Sequence, residues 1–307
     1  MSKIFDRISE AINPSNIRLI LPENDPRVFE AKAKLKKKGF QIVENDDYKD
    51  CLDIFLKEAS KLKFAKNWPE EKLRSYILNP INYGLFILKT GYADTLIAGA
   101  AAPTSEVIRG GLRLIGVKSD SICVSSLFLM ISPNEDRFFS YADCAVMPEP
   151  SDRELADIAY NTAINHELLT SQTPKVAFLS FSTDSSAEHY RVEKVKRAIA
   201  IFKKKYDNIL CEDVEVQFDA GISQNIAIKK YPKSVLKGSA NVLIYPNLDA
   251  GNIAYKITQR IGLYDAVGPL LQGLKSPIHD LSRGCAVDDI IDISIIAAYQ
   301  GILNANV

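Results

Sequence analysis

Apolar and polar positions along this chain fall into blocks that read as strands and helices in turn. Ile17-Arg18-Leu19-Ile20-Leu21-Pro22 is a short apolar run closed by proline, the pattern of a buried strand. Asp25-Pro26 then opens a helical stretch over residues 27–38, with Val28, Ala31 and Leu35 at helical spacing and Gly39 as its stop. Phe40-Gln41-Ile42-Val43 reads as the next strand. Strand, helix, strand with a connection of this length predicts a βαβ unit and therefore a parallel sheet. The pattern returns at Thr95-Leu96-Ile97-Ala98-Gly99, ahead of a helix over about residues 105–115. It returns again at Val176-Ala177-Phe178-Leu179-Ser180-Phe181, ahead of a helix carrying Val192, Val195, Ala198 and Ile199. Asn241-Val242-Leu243-Ile244-Tyr245-Pro246 precedes a helix over about 252–261, and residues 288–305 predict a closing helix. Between these, residues 122–131 form a β-rich stretch that runs on to the Pro148-Glu149-Pro150 punctuation. The fold class is α/β, with sites expected at the carboxyl ends of the strands.

A chain of 307 residues is long for one core and predicts two domains of roughly 150 residues each. Lys+Arg and Asp+Glu both number 38, so there is no electrostatic reason to expect nucleic acid or an anionic membrane as partner. An anionic ligand must be met by a local cluster of positive groups. The five cysteines (Cys51, Cys123, Cys144, Cys211, Cys285) are scattered and form no C-x-x-C pair, which points to neither disulfides nor a zinc site and suits a reducing compartment. The three histidines have no ligand spacing, so no metal is expected; His166 and His189 read as isolated surface or helix residues. Residues 1–16 lack the apolar stretch of a signal peptide, and no segment approaches the roughly 20 apolar residues that span a bilayer. A soluble cytoplasmic protein is expected.

The richest chemistry lies in His279-Asp280-Leu281-Ser282-Arg283-Gly284-Cys285, followed by Asp289. It sets a hydroxyl, a guanidinium, two carboxylates and a thiol in one loop entering a helix. Arginine offers paired donors that fit phosphate oxygens, and a helix N-terminus adds N–H donors. Read structurally, the same residues make a capped helix start with Asp289 in the first turn and Arg283 in an ion pair; spacing fits both readings. Cys285, with only His279 near it in sequence, reads as a small buried residue rather than a nucleophile. Two further loops follow strands: Asp249-Ala250-Gly251-Asn252, where Gly251 permits close approach to a ligand and Asn252 can cap a helix, and the hydroxyl-rich residues 182–186. Each also reads as plain capping.

The run from Ala240 to Lys256, with Asn247-Leu248-Asp249-Ala250-Gly251-Asn252-Ile253-Ala254-Tyr255 at its centre, resembles the phosphate acetyl/butyryltransferase family. So do Val267-Gly268-Pro269-Leu270-Leu271-Gln272-Gly273 and Asp280-Leu281-Ser282-Arg283-Gly284-Cys285, while Gly91-Tyr92-Ala93-Asp94, Thr104, Arg109 and Ser125-Ser126-Leu127-Phe128-Leu129-Met130 match its weaker signatures. The resemblance spans residues 17–300. It implies two three-layer α/β domains with mostly parallel sheets, one from residues 1–120 plus 275–307 and the other from 121–274, with the active site in a cleft between them, and a homodimer. It implies reversible acetyl transfer between coenzyme A and inorganic phosphate through a ternary complex, with acetyl phosphate as the other substrate and no tightly bound cofactor. The family's catalytic groups fall on Ser282, Arg283 and Asp289, with Asp289 as base for the coenzyme A thiol. Arg109 is the implied substrate-binding arginine, with Arg74 as a further candidate, and Gly251, Asn252, Ser182 and Thr183 are implied to line the substrate site.

Two positions depart from the family. Asp184-Ser185 stands where Lys-Gly is usual, placing a negative charge in a loop expected to meet phosphate, and His279 replaces a common asparagine. A phosphate butyryltransferase and a non-catalytic acetyl-CoA-sensing module are the alternatives. The absence of G-x-G-x-x-G after a strand argues against a dinucleotide-dependent oxidoreductase.

Overall fold

The computed structural model describes residues 3–305. The chain divides into two compact units, Met1–Lys118 with Leu274–Val307, and Ser119–Gly273. The first opens with helix α1 (Lys3–Ala11), strand β1 (Arg18–Ile20), helix α2 (Pro26–Lys37) and strand β2 (Gln41–Val43), paired in parallel with β1. Asp25 caps α2 by accepting the Arg27 N–H, Pro26 supplies a preset first-turn φ, and Gly39 turns the chain out at φ +95°. The strand–helix–strand reading of residues 17–43 is borne out. Helices α3 (Leu52–Ser60), α4 (Glu70–Leu78) and α5 (Pro80–Lys89) follow, in a stretch for which the sequence pattern predicts no element. Every residue of α5 from Ile81 to Leu88 is buried. At Gly84 an added Cβ would lie 3.1 to 3.3 Å from Leu96, Ile20 and Pro22, so a glycine lets α5 press onto the sheet. Strand β3 (Thr95–Ala98) and helix α6 (Thr104–Gly110) come next, α6 ending in a π-turn at Gly111–Ile115.

The second unit carries strands β4 (Ser125–Ile131) and β5 (Phe138–Ala142), then helix α7 (Asp152–Thr170). Strand β6 (Lys175–Phe178), helix α8 (Tyr190–Lys205), strand β7 (Leu210–Cys211) and short helices α9 (Phe218–Ile222) and α10 (Gln224–Lys230) follow. Strand β8 (Val242–Ile244), helix α11 (Leu248–Arg260) and strand β9 (Asp265–Gln272) complete it. The sheet order is β7-β6-β8-β5-β4-β9. Its first four strands are parallel, whereas β4 runs antiparallel to both β5 and β9. Pro269 lies in β9 because β9 is the edge, where a missing N–H costs no ladder bond. Tyr255 of α11 stacks on Phe128 of β4 with ring centroids 3.9 Å apart, fixing that helix on the sheet.

The chain then returns to the first unit as strand β10 (Ile278–Asp280) and helix α12 (Val287–Ala305). The first unit's sheet is wholly parallel, in the order β10-β3-β1-β2. Two elements differ from the sequence expectation. His279 and Asp280 belong to a strand rather than to the loop that follows it. Helix α11 starts at Leu248, four residues before the predicted start, and Asn247, not Asn252, is its cap, accepting the Ala250 N–H at 3.0 Å.

Candidate active site

At the carboxyl ends of β1, β3 and β10 three loops meet in the first unit, the place where parallel α/β sheets put their chemistry. The loop after β1 sends in Glu23, whose carboxylate accepts four successive N–H groups, from Gly99, Ala100, Ala101 and Ala102, at 2.8 to 3.0 Å. Those four donors form a cradle that an internal carboxylate fills, and they fix the path from β3 into α6. Gly99 stands at φ +107° and its Cα faces the end of β10: an added Cβ would meet Asp280 Oδ1 at 2.3 Å and the Leu281 backbone N and O at 2.8 Å. Thr104, at the start of α6, donates to Asp280 Oδ2 at 2.5 Å. Asp280 is fully buried, and its Oδ1 has no hydrogen-bond partner among the described residues.

The loop of residues 281–286 carries the predicted catalytic groups. Ser282 and Arg283 are exposed, and among the described residues Arg283 has no carboxylate partner, so its guanidinium is not held in the ion pair of the structural reading. Ser282 Oγ accepts the Gly284 N–H at 3.3 Å, and the Cys285 N–H closes a turn onto Ser282 O at 2.9 Å. Asp289 lies in the first turn of α12 as predicted and accepts the Ala286 N–H at 2.8 Å. Its side chain is exposed. Cys285 is buried, and burial pushes its thiol above the ordinary value, which suits a packing role. Arg109 is exposed near the end of α6, whose first residue is tied to β10 through Thr104 and Asp280; Arg74 is exposed on α4.

Burial shifts several titrating groups, among them two histidines and Asp280, whose effects on stability oppose one another. His279 Nε2 lies 2.6 Å from Gln300 Oε1 of α12, and in the second unit His166 Nδ1 lies 2.9 Å from Ser140 Oγ; both imidazoles are lowered to about 4 by burial. His166 is thus a buried helix residue, while His189 is the exposed cap of α8. Between pH 6.5 and 4 the unfolded chain binds the protons these folded histidines refuse, so acidification destabilises the fold through them. Asp280 is raised to about 7 by burial, against an ordinary 3.8. Its folded form holds a proton that the unfolded form has lost, so its contribution is full below about pH 4 and fades as pH rises through 7. Asp280→Asn removes that dependence. The stability of the variant relative to wild type is expected to improve by about 4 kcal/mol from pH 4 to pH 8 in chemical denaturation. A difference that is the same at both pH values would show that Asp280 is charged throughout.

The residues expected to bind substrate from the second unit have internal duties. Gly251 sits inside α11, and an added Cβ would strike Asp143 O at 2.2 Å, so the close approach it permits is that of the chain after β5. Asn252 Nδ2 donates to Cys144 O at 3.0 Å in that same segment. Ser182 and Thr183 are buried. Ser182 Oγ donates to Glu215 Oε1 at 2.7 Å, the Ser185 N–H donates to the same oxygen at 2.8 Å, and Thr183 Oγ1 accepts the Gln217 N–H at 2.9 Å. The N–H groups of residues 182–187 all donate within the unit, to Ser180, Ser186, Glu215, Thr183 and Ser182. No backbone donor of this loop is left pointing at a phosphate. Among the described residues no cluster of three or more His, Cys, Asp or Glu could hold a metal.

Residues 5–298 match the model of the phosphate acetyl/butaryl transferase family. The chain belongs to this family. It is 37% identical to the phosphate acetyltransferase of Staphylococcus aureus (strain Mu50), over 98% of this chain and all of that one. It is 34% identical to the phosphate acetyltransferase of Bacillus subtilis (strain 168), with the same coverage. A crystal structure of a phosphotransacetylase from Streptococcus pyogenes superposes with a TM-score of 0.92 at 33% identity, covering 99% of this chain and all of that one. Some of the family's signature residues serve the fold in this chain. Asp94 pairs with Arg18 at 2.6 Å at the amino ends of β1 and β3, away from the site loops. Ser126 donates to the buried Asp143, whose carboxylate also takes the N–H groups of residues 145–147. Asp184 and Ser185, the departures from Lys-Gly, stand at φ +49° and +63°, so the loop keeps a left-handed turn of the kind glycine favours. His279, the other departure, ties β10 to α12. The sequence reading missed Glu23 and Arg27 as site residues. The available signal was their place directly after an apolar strand run, in Pro22-Glu23-Asn24-Asp25-Pro26-Arg27.

Proposed function

We propose that this chain transfers acetyl reversibly between coenzyme A and inorganic phosphate, with Ser282, Arg283 and Asp289 as its catalytic groups. The observation that carries the reading is the loop after β10, which presents an exposed hydroxyl and a guanidinium without a carboxylate partner beside the first turn of α12. The names of the Staphylococcus and Bacillus relatives favour acetyl over longer acyl groups. Asp289 takes the proton of the coenzyme A thiol, which is mostly protonated at neutral pH. The thiolate adds to the acetyl carbon of acetyl phosphate, and Ser282 donates to the resulting oxyanion, an interaction commonly worth roughly 3 kcal/mol. Arg283, with Arg109, holds the phosphoryl oxygens and offsets the charge as phosphate leaves. Both substrates meet in one ternary complex, so no acyl-enzyme forms and coenzyme A is a substrate rather than a resident cofactor. The substrate contact of Ser182, Thr183, Gly251 and Asn252 is not part of this reading, because their side chains or Cα atoms face their own unit. Thioester formation from acetyl phosphate and coenzyme A tests it. Intersecting initial-rate patterns are expected when both substrates are varied. No thioester, or parallel patterns with a labelled acyl-enzyme, would overturn it.

The reading includes a homodimer and a cytoplasmic site of action. Ile253, Ile257 and Ile261 recur every fourth residue along α11 and just past its end, and with Leu263 they are 52% to 78% exposed. An apolar stripe of this kind is the surface that a two-fold partner copy would cover. Ile257→Glu is therefore expected to halve the mass measured by light scattering, with the fold retained; a mass equal to wild type would place the interface elsewhere or remove it. No helix among the described residues is long and apolar enough to cross a membrane, and four of the five unpaired cysteines are buried, which suits a reducing cytoplasm.

A further inference from the structure

A guanidinium has five N–H donors, and those of Arg27 are all spent on the protein. Nε donates to Asp25 Oδ1 at 3.0 Å, and Nη2 donates to Asp25 Oδ2 at 2.8 Å and to Ala100 O at 2.7 Å. Nη1 donates to Arg283 O at 2.8 Å and to Cys285 O at 2.9 Å. Its charge is neutralised by the two-pronged pair with Asp25, which also caps α2. No donor remains for a phosphate, in contrast to Arg283 and Arg109. What Arg27 does instead is join three segments: the start of α2, the loop of residues 99–102 that leads into α6, and the loop of residues 281–286. Holding the carbonyls of residues 283 and 285 fixes the backbone from which the Ser282 and Arg283 side chains project. Glu23 secures the 99–102 loop from the same stretch of chain, so the segment after β1 sets both loops against each other.

We infer that Arg27 is a positioning residue for acetyl transfer, orienting Ser282 and Arg283 through their backbone without touching substrate. The inference rests on the acetyl-transfer reading for its kinetic test. A lysine ammonium donates from one point and cannot span three segments as the planar fork does. In Arg27→Lys kcat is expected to fall about 10-fold, and in Arg27→Ala about 100-fold, with KM for coenzyme A and acetyl phosphate each within about threefold of wild type. Added guanidinium ion should restore part of kcat in Arg27→Ala and none in wild type. A rise of about tenfold or more in either KM at unchanged kcat would make Arg27 a substrate-binding residue, and unchanged kcat in both variants would remove its role altogether; either result overturns the inference. If Arg27→Ala fails to fold, Arg27→Lys decides on the same criteria. Hydrogen exchange of the substrate-free protein gives a test that does not depend on activity. Peptides covering residues 99–103 and 281–287 should exchange faster in Arg27→Lys than in wild type, and unchanged exchange there would overturn the inference. A wild type that forms no thioester would sink the acetyl-transfer reading, and the exchange result would still decide whether Arg27 holds the two loops.

Discussion

Asp289→Asn is expected to cut kcat by about 100- to 1,000-fold while leaving the fold in place. General base catalysis typically contributes about 10²- to 10⁴-fold, and asparagine cannot accept the thiol proton. The variant isolates that role because asparagine's carbonyl oxygen can still accept the Ala286 N–H that Asp289 accepts at 2.8 Å. The helix start should therefore lose under about 1 kcal/mol, from the missing charge near the α12 N-terminus. KM for both substrates should change little, since the carboxylate is not asked to bind either. Steady-state kinetics together with a melting curve separates the two effects. A kcat within twofold of wild type would leave the enzyme without Asp289 as its base. A large drop in melting temperature would show that the cap, not the base, was what the variant removed.

Gly99→Ala is expected to have the second large effect, this time on structure and activity together. The methyl group would lie 2.3 Å from Asp280 Oδ1 and 2.8 Å from the Leu281 backbone, and φ +107° is closed to alanine without strain. Neither neighbour can withdraw cheaply: Asp280 is fully buried, and the Leu281 N–H is bonded to Ala98 O at 2.7 Å. Overpacking and backbone strain should together cost roughly 3 kcal/mol or more. Displacement of residues 281–286 moves Ser282 and Arg283, so turnover should fall in whatever fraction remains folded. Denaturant midpoints and specific activity of the folded protein measure the two losses. A variant with wild-type midpoint and activity would mean that β10 and the 99–102 loop can separate freely.

The parts of this fold that could be read from sequence are those where local chemistry agrees with tertiary packing. Pro22, the Asp25-Pro26 cap and Gly39 punctuate β1, α2 and β2 unambiguously, and the structure follows them to within a residue or two. The closing helix was legible because its apolar spacing persists over five turns. Helix α11 was misjudged because Asn247 and Asn252 are both good caps, and only the packing of Gly251 against Asp143 reveals which one the fold uses. Strand β9 was unreadable as a strand, since Gly268-Pro269 looks like a break until its edge position is known. In the site, Ser282, Arg283 and Asp289 were visible as a cluster because they are close in sequence. Glu23 and Arg27 had only their place after a strand run to mark them, and their partners were not legible: Arg27 acts on carbonyls more than 250 residues away, at Arg283 and Cys285. Hydroxyls at 182 and 183 suggested phosphate, but the buried Glu215, with which they share no local pattern, is what the loop closes around.

The most direct test of acetyl transfer by the 282–289 segment is release of coenzyme A thiol from acetyl-CoA on addition of phosphate. Wild type should release thiol at a rate that saturates in phosphate, with acetyl phosphate formed in equal amount, and Arg283→Gln should lose nearly all of it. A protein that binds acetyl-CoA yet releases no thiol with phosphate, from either acetyl or butyryl thioester, would contradict the account.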